Sequence, residues 1–342
     1  MNVKDTLVSD EMLQTRDEQW DNHPIICTSA VLPTGPIGWV MSLVLKHARR
    51  QRSSIAFWAH PLTGKSSCIE ALESVLPRKI PGCGILVHEA KTNTTIAEGT
   101  FISDILFTVD YEPKIHRGLA EKRDQLRRAL FALAAGARHL FLIIDEAQSL
   151  HGLELEWLKE YINWLIRRRY KVTVILFGQS ELVDKRDSLI SDGRSDLNAR
   201  FTDNLSEFEP IGNITDFRPV LRAMDSASEF PAGSGWSYTQ FLWPRAWAAG
   251  FRMEDQLGPF WRAFGADRER SQHSEGVGMN YIAIALAEFA WATKDRDGEG
   301  FYPIADDWRN AVRLSGYLDR APMPSRPPAA ASGKSQSGSR VP

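Results

Sequence analysis

A lysine and a hydroxyl group stand together in a segment of this sequence that suits phosphate binding. Gly64, Lys65 and Ser66 follow a short apolar stretch and precede a segment with helical spacing of apolar residues. In such a loop, backbone N–H groups can surround phosphate oxygens, a lysine can contact β- and γ-phosphates, and a hydroxyl can coordinate Mg²⁺. Because this order matches the spacing G-x-x-x-x-G-K-[ST], it predicts that the loop binds a nucleoside triphosphate with magnesium.

The first position of the loop departs from that spacing. We assign nucleotide binding to the whole loop, which consists of Ala59, His60, Pro61, Leu62, Thr63, Gly64, Lys65, Ser66 and Ser67. Ala59 stands where the pattern has glycine, and alanine disfavours a positive φ angle. The substitution raises the question of nucleotide affinity, so a scaffold that binds nucleotide but hydrolyses it poorly stays open as an alternative.

Two adjacent carboxylates supply the second half of the predicted site. Asp145 and Glu146 follow the fully apolar run 139–144, and the carboxyl end of a buried strand is where an open α/β sheet holds its ligands. We expect Ser66 and Asp145 to hold Mg²⁺ and Glu146 to polarise the attacking water. Together with Lys65, these residues predict hydrolysis of ATP to ADP and phosphate.

Two further polar residues are candidates for catalysis. Gln179 directly follows the apolar run and Gly178 in FGQSEL, where its amide could sense the γ-phosphate; a strand-end cap is the alternative. Arg200 precedes the last candidate strand, and an arginine there could reach a neighbouring subunit's nucleotide as a trans-acting finger. An ordinary ion pair within the chain is the alternative for Arg200.

Short apolar segments alternate with helical patterns through the first two thirds of the chain. Continuous apolar strands between helices are typical of a parallel sheet covered on both faces, so the alternation predicts an α/β fold. The candidate strands are 54–58, 84–87, 139–144, 172–177 and 206–210, and the candidate helices include 37–50, 117–138 and 154–168.

Four motifs, in this order and at these spacings, resemble the AAA+ ATPases of the TniB/TnsC and ExeA-like group. They are HPLTGKSS from His60, LFLIIDEAQSL from Leu140, ILFGQSEL from Ile175 and LNARF from Leu197. DEAQ and GQxEL are the most specific matches, while Ser180 stands where the group usually has proline. The resemblance covers roughly residues 35–215. It implies a P-loop NTPase of AAA+ type, with a parallel five-stranded sheet flanked by helices and a C-terminal helical lid.

The same resemblance implies a function. It is that of an ATP-dependent regulator of transposition, which forms a homo-oligomer, as a ring or a helical filament, on target double-stranded DNA. The oligomer would recruit a transposase or a TniQ-like targeting protein, and ATP hydrolysis with Mg²⁺ would drive its disassembly. An ExeA-like factor and a helicase loader of the DnaC/IstB kind are the alternatives among ATPases. For a lid arginine that contacts nucleotide, Arg309 and Arg313 are only weak candidates.

The charge balance constrains how the chain could bind DNA. The sequence has 41 Lys+Arg against 43 Asp+Glu and a formal net charge of −2, which excludes a simple basic clamp. Its charges are nevertheless segregated, because 46–52 and 165–171 each contain four basic residues and no acid, whereas 1–21 contains two basic and six acidic residues. We therefore expect DNA binding to depend on assembly. The candidate contacts are Lys91, Thr92, Lys114, Arg117, Lys122 and Arg123, although a solvated helix face is the ordinary explanation of a charge run.

The remaining segments are predicted to frame the ATPase core. The predicted regions are an N-terminal arm (1–34), the core (35–215), a helical lid with a partner-facing, aromatic-rich insert (216–320) and a disordered tail (321–342). Six of the 11 tryptophans lie at or after Trp236, where they serve either core packing or protein recognition. No signal peptide or membrane-spanning run is recognisable, and the three cysteines include no CxxC pair, so we expect a cytoplasmic protein without membrane contact.

Overall fold

The computed structural model describes residues 8–50, 52–92, 96–109, 114–265 and 276–319. The predicted disordered tail lies outside these residues, as do 93–95 of the loop after Lys91 and 266–275 of the aromatic-rich segment. Five strands are present in the described part of the chain: β1 Arg52–Trp58, β2 Gly84–Glu89, β3 His139–Asp145, β4 Lys171–Gly178 and β5 Leu205–Glu207.

Helices precede, separate and follow the strands. In chain order they are α1 Asp10–Gln19, α2 Gly35–Ala48, α3 Lys65–Lys79, α4 Glu98–Thr108, α5 Leu119–Leu133, α6 Gly152–Arg167, α7 Glu181–Ser191, α8 Ser195–Leu197, α9 Ile214–Ser226, α10 Tyr238–Leu242, α11 Pro244–Ala248, α12 Leu257–Ala263, α13 Met279–Thr293 and α14 Ala305–Leu314. Local side chains fix several of their starts. The Thr34 hydroxyl accepts a hydrogen bond from the Ile37 N–H at the start of α2, and His151 and Glu154 form a capping box on α6.

All five strands run parallel in one sheet with the order β2-β3-β4-β1-β5. Successive side chains of β3 pack against opposite layers: Leu142 faces the helices α4, α5 and α6, whereas Phe141 and Ile143 face α2 and α3. Both faces of the strand are buried, which explains why its sequence is continuously apolar. The five-stranded parallel α/β sheet predicted from the sequence is therefore confirmed.

Some predicted limits differ from the observed ones. The predicted strand 206–210 is β5, which is shorter and starts one residue earlier at Leu205. The predicted basic helix 117–138 ends at Leu133 because the chain must then pass very close to the loop before β2. A Cβ on Gly136 would lie 2.4 Å from the carbonyl oxygen of Gly82, so a helical side chain has no room there.

A second hydrophobic core lies C-terminal to the sheet and is built from α9 to α14. The fully buried ring of Trp308 stacks on Phe289 at 3.7 Å and on Phe260 at 4.3 Å between centroids. Trp243 is also fully buried in this core. Core packing therefore accounts for part of the aromatic-rich segment, and its helices α10, α11 and α12 are too short to show clear periodicity.

The segment before α2 packs into that same core. Trp20, Ile25 and Leu32 are buried among the lid side chains. The Arg16 guanidinium donates hydrogen bonds to the carbonyl oxygens of Leu242 at 3.1 Å and Lys294 at 2.8 Å. The described residues 8–34 are thus part of the lid's packing, whereas the sequence alone led us to expect a leading arm. Within the described residues, no helix combines the length and apolar character that crossing a bilayer requires.

Replacing Trp308 with alanine is expected to lower the free energy of unfolding by about 3–5 kcal/mol, because it opens a cavity between Phe289 and Phe260. Urea denaturation followed by circular dichroism measures the loss. Tyr302, which is 75% exposed, provides the control: its replacement with alanine should change stability by no more than about 0.5 kcal/mol. Equal losses in the two variants would contradict this description of the lid core.

Candidate nucleotide-binding site

The predicted phosphate-binding loop joins β1 to α3 at the carboxyl edge of the sheet. Leu62 at φ 64° and Gly64 at φ 111° adopt the left-handed conformation, which curls the chain before the helix begins. Ala59 is buried, its φ is not positive, and its N–H donates to the carbonyl of Gly178 at 3.0 Å. The alanine at the first loop position therefore carries no left-handed strain, and the affinity of the loop for nucleotide stays a prediction.

The lid approaches this loop closely. A cavity of about 220 Å³ lies between them, lined by Thr28 and Ala30 before α2, by His60 and Leu62 to Ser67 of the loop, and by Met279, Asn280 and Ala283 of α13. A Cβ on Gly278 would lie 2.6 Å from the carbonyl oxygen of Leu62, so this approach requires glycine. The cavity meets the amino end of α3, where helix N–H groups and the helix dipole favour anions. Asn280 is the polar lid residue at this cavity, whereas Arg309 is exposed and pairs with Asp306.

Lys65 reaches across the edge of the sheet to both predicted carboxylates. Its Nζ lies 2.7 Å from Oε1 of Glu146 and 3.8 Å from Oδ1 of Asp145. The same Asp145 oxygen accepts the N–H of Glu146 at 2.8 Å. Glu146 has a φ of 49°, so the chain turns sharply after β3. The structure thus brings the lysine of one motif and the acids of the other into a single charged cluster.

Two glutamines bind the other oxygen of Glu146. Gln148 Nε2 lies 2.5 Å and Gln179 Nε2 lies 3.2 Å from Oε2 of Glu146. The Gln148 Oε1 also accepts the N–H of Gln179 at 3.1 Å, and a Cβ on Gly178 would lie 2.7 Å from that oxygen. Gln148 was not among the predicted site residues, although DEAQ was a specific motif. The sequence feature that could have indicated Gln148 is its polar side chain, two residues after the candidate base Glu146.

The cluster shifts the acidity of its two carboxyl groups in opposite directions. Burial is the largest effect on the pKa of Glu146 and would raise it, but the Lys65, Gln148 and Gln179 hydrogen bonds together with the Lys65 charge hold it below its ordinary value. Burial raises the pKa of Asp145, and the Glu146 N–H and the Lys65 charge offset this only in part. Asp145 is half-buried and carries this desolvation cost, and its carboxylate and the Ser66 hydroxyl are oxygen donors of the kind that a hard cation such as Mg²⁺ prefers. The donor types present thus suit magnesium, and its binding by Ser66 and Asp145 stays a prediction.

Arg200, the predicted trans-acting arginine, is buried within its own subunit. It belongs to the π-helix Asn198–Thr202 that follows α8, and only 8% of the residue is exposed. A trans-acting finger must extend from the subunit surface to a neighbour's nucleotide. The observed burial does not favour that role in this conformation, and the role stays a prediction.

The six predicted DNA contacts divide into two groups. Lys91, Thr92, Lys114 and Arg117 are exposed. The other two residues, Lys122 and Arg123, join α5 to α4. Lys122 donates to the Gly99 carbonyl at 2.9 Å and to the Ser103 hydroxyl at 2.8 Å, while Arg123 forms a bidentate ion pair with Glu98. These bonds give Lys122 and Arg123 a structural role that the sequence did not reveal, and DNA contact by any of the six stays a prediction.

Comparison with known proteins agrees with the observed fold. A family model described as AAA domain matches residues 48–185. No curated protein matches the chain significantly in sequence. Solved structures that resemble it include the ORC2 protein of Aeropyrum pernix in ADPNP-ADP complexes, with 13% identity over 85% of this chain and 71% of that one and a TM-score of 0.55. Cdc6p of Pyrobaculum aerophilum is 13% identical over 90% of this chain and 69% of that one, with a TM-score of 0.46. The Aeropyrum pernix ORC1 protein in complex with DNA is 12% identical over 85% of this chain and 68% of that one, with a TM-score of 0.45. The chain has the AAA+ P-loop NTPase fold.

Replacing Lys65 with methionine is expected to raise the pKa of Glu146, because the substitution removes both a hydrogen bond and a positive charge from the carboxylate. The side-chain carboxyl ¹³C resonance of Glu146, followed by NMR from acidic to neutral pH, measures this change. In the wild-type protein the folded-state pKa lies below the ordinary 4.5. Glu146 therefore stabilises the fold above that pH, and this stabilisation is lost as the pH falls through the folded-state pKa.

The control for this measurement is Lys65→Arg, which retains the charge and a donor and should keep the pKa of Glu146 low. An unchanged pKa in the methionine variant would contradict the role given to the ion pair.

Proposed function

We propose that this protein is an ATP-driven switch that assembles on double-stranded DNA and regulates transposition. In this proposal, ATP binding builds a homo-oligomer, as a ring or a helical filament, that recruits a transposase or a TniQ-like targeting protein, and ATP hydrolysis releases the oligomer. The observation that carries the enzymatic part is a cluster beside the phosphate-binding loop, in which Lys65 contacts Asp145 and Glu146 and Gln179 donates to Glu146.

The proposed chemistry follows from the contacts of these side chains. Mg²⁺, when bound, would supply positive charge to the triphosphate. The Ser66 hydroxyl and the Asp145 carboxylate are the oxygen donors that would hold it, and Lys65 would donate to phosphate oxygens. Since the Lys65 ammonium now lies 2.7 Å from Glu146, its movement to a phosphate frees a carboxylate oxygen to orient and deprotonate the attacking water. Gln148 and Gln179 would keep the other oxygen of Glu146 in place.

Different observations support the different parts of the proposal. The nucleotide part is supported by the loop geometry and by the fold shared with the ORC2 protein in ADPNP-ADP complexes. The DNA and transposition parts rest on the resemblance of the four motifs to the TniB/TnsC and ExeA-like group. A nucleotide-binding scaffold is a second candidate, because the ion pair with Lys65 occupies the catalytic base. A preference for single-stranded DNA would instead favour a helicase loader of the DnaC/IstB kind.

The variants Glu146→Gln and Lys65→Ala are expected to separate hydrolysis from assembly. Glu146→Gln lacks the general base, so its phosphate release should fall about 10²- to 10⁴-fold while ATP-dependent assembly persists. Lys65→Ala lacks the phosphate-binding cation and should lose nucleotide binding and assembly together. Phosphate-release kinetics and electron microscopy of protein with ATP, Mg²⁺ and duplex DNA measure the two properties, and Glu160→Gln on the exposed surface of α6 is the matched control.

Two results would overturn parts of this proposal. If Lys65→Ala assembles on duplex DNA as well as the wild type does, ATP is not the switch. If wild type and Glu146→Gln release phosphate at the same near-background rate, the scaffold replaces the enzyme.

A further inference from the structure

Basic side chains gather at the amino-terminal edge of the sheet, opposite the nucleotide site. The helix ends and loops that lead into β1, β2, β3 and β4 occupy residues 46–50, 77–83, 134–138 and 166–171, and they contain no acidic residue. Their exposed lysines and arginines, which we call the basic edge, are Lys46, Arg49, Arg50, Arg78, Lys79, Arg138, Arg167, Arg168, Arg169 and Lys171.

Hydrogen bonds between neighbouring loops make the basic edge one continuous surface. The Ala137 N–H donates to the Gly82 carbonyl at 2.7 Å, and the Lys171 N–H donates to the Arg138 carbonyl at 2.8 Å. β1 and β4 pair directly from Arg52 and Val172 onward. Because neighbouring strands lie about 4.8 Å apart, the four loops enter the sheet within about 15 Å. Residues 46–50 and 165–171, which belong to the two acid-free blocks and are distant in sequence, therefore meet on one surface.

Aromatic rings hold two arginines of the edge in place. The guanidinium of Arg168 lies 3.8 Å from the ring centroid of Trp164, and that of Arg138 lies 5.0 Å from the ring centroid of Tyr170. Arg138 Nη2 also donates to the Arg168 carbonyl at 3.1 Å. A guanidinium held by stacking loses little conformational freedom on binding and keeps N–H groups free for the paired oxygens of a phosphate.

Backbone conformation points to a use for these side chains. Arg138 and Arg169 adopt the left-handed conformation, with φ of 52° and 64°. Glycine adopts this conformation without the steric cost that a Cβ brings. Arginine is therefore less stabilising than glycine at both positions, but it adds two exposed cations. Residues that keep an unfavourable backbone conformation cluster at functional sites.

The positive potential of the edge acts on the groups beneath it. The pKa of His47 is lowered first by burial and then by the charges of Arg50 and Lys46. The pKa of His139 is lowered to about 4, first by burial and then by Lys171. The charge of an edge cation thus contributes to the lowered pKa of a histidine on each of two elements, although burial is the larger cause in both.

We propose that the basic edge binds the phosphate backbone of double-stranded DNA. The proposal rests on the function proposed above and identifies the surface that performs it. Seven of the ten cations are arginines, whose planar guanidinium groups match phosphate oxygens. The exposed residues predicted from the sequence lie elsewhere: Lys91 follows the carboxyl end of β2, and Arg117 precedes α5, whose 15 residues span about 22 Å before the chain reaches the edge.

Fluorescence anisotropy of a labelled DNA duplex, titrated with the full chain, Mg²⁺ and a non-hydrolysable ATP analogue over a salt series, tests this surface. The edge variant carries Arg49→Gln, Arg50→Gln and Arg167→Gln. Its affinity should fall by about tenfold or more, and the slope of log K against log salt should flatten by about 2–3, because three phosphate contacts are lost. Two variants with the same change of charge serve as comparisons: Lys91→Gln with Lys114→Gln and Arg117→Gln, and Arg222→Gln with Arg245→Gln and Arg262→Gln on the lid.

The single substitution Arg169→Gly distinguishes an effect on DNA binding from an effect on protein stability. Arg169→Gly relieves the left-handed backbone while removing one cation, so its melting temperature should hold or rise although its affinity for the duplex falls. An affinity that is unchanged in this variant and in the edge variant, while the wild type binds, overturns the inference and leaves the proposed function standing.

Other outcomes would also overturn the inference. Equal losses of affinity in the edge variant, in the variant at Lys91, Lys114 and Arg117, and in the lid variant at Arg222, Arg245 and Arg262 would mean that overall charge, and not the basic edge, governs binding. If poly-L-glutamate displaces the labelled duplex as effectively as unlabelled duplex does, the edge would be assigned to an acidic protein partner. A wild-type protein that binds no duplex with nucleotide present would contradict the proposed function and this inference together.

Discussion

The ion pair between Lys65 and Glu146 joins the loop after β1 to the turn after β3. Since β4 lies between these strands in the sheet, Gln179 at its carboxyl end arrives beside the same carboxylate. A partly buried charge needs partners to offset its desolvation, and here the lysine satisfies one oxygen of Glu146 while two amides satisfy the other. The parallel order of the strands is thus the condition for the whole cluster.

The sequence could predict the fold and the charged members of the cluster, because both are properties of short segments. Apolar runs that end in Asp145 or just before Gln179 define buried strands and the edge at which their ligands lie. The contact of Gln148 with Glu146 could not be predicted from such short segments. It depends on the sharp turn at Glu146 and on the close approach of Gly178, which involve residues about 30 positions apart in the chain.

Contacts between distant segments explain the other differences. Lys122 and Arg123 belong to a basic run that suggested DNA contact, yet α4 supplies their partners through Gly99 and Glu98. The residues around Trp20 are too few to form a core alone, but they are buried once the lid is present. The sequence also showed the two acid-free basic blocks, 46–52 and 165–171. Their position at the same edge of the sheet follows only from the parallel order of the strands. A chain of net charge −2 therefore has opposite edges of different character: paired acids beside the phosphate-binding loop, and unneutralised cations where the strands begin.

In the proposed mechanism, phosphate capture by Lys65 releases Glu146 for catalysis. A crystal structure of the protein with Mg²⁺ and a non-hydrolysable ATP analogue tests it directly. We predict that Lys65 Nζ leaves its position 2.7 Å from Glu146 Oε1 and lies within about 3 Å of a phosphate oxygen, while Gln148 and Gln179 still contact Glu146. An ion pair between Lys65 and Glu146 that persists with the triphosphate bound would contradict this mechanism.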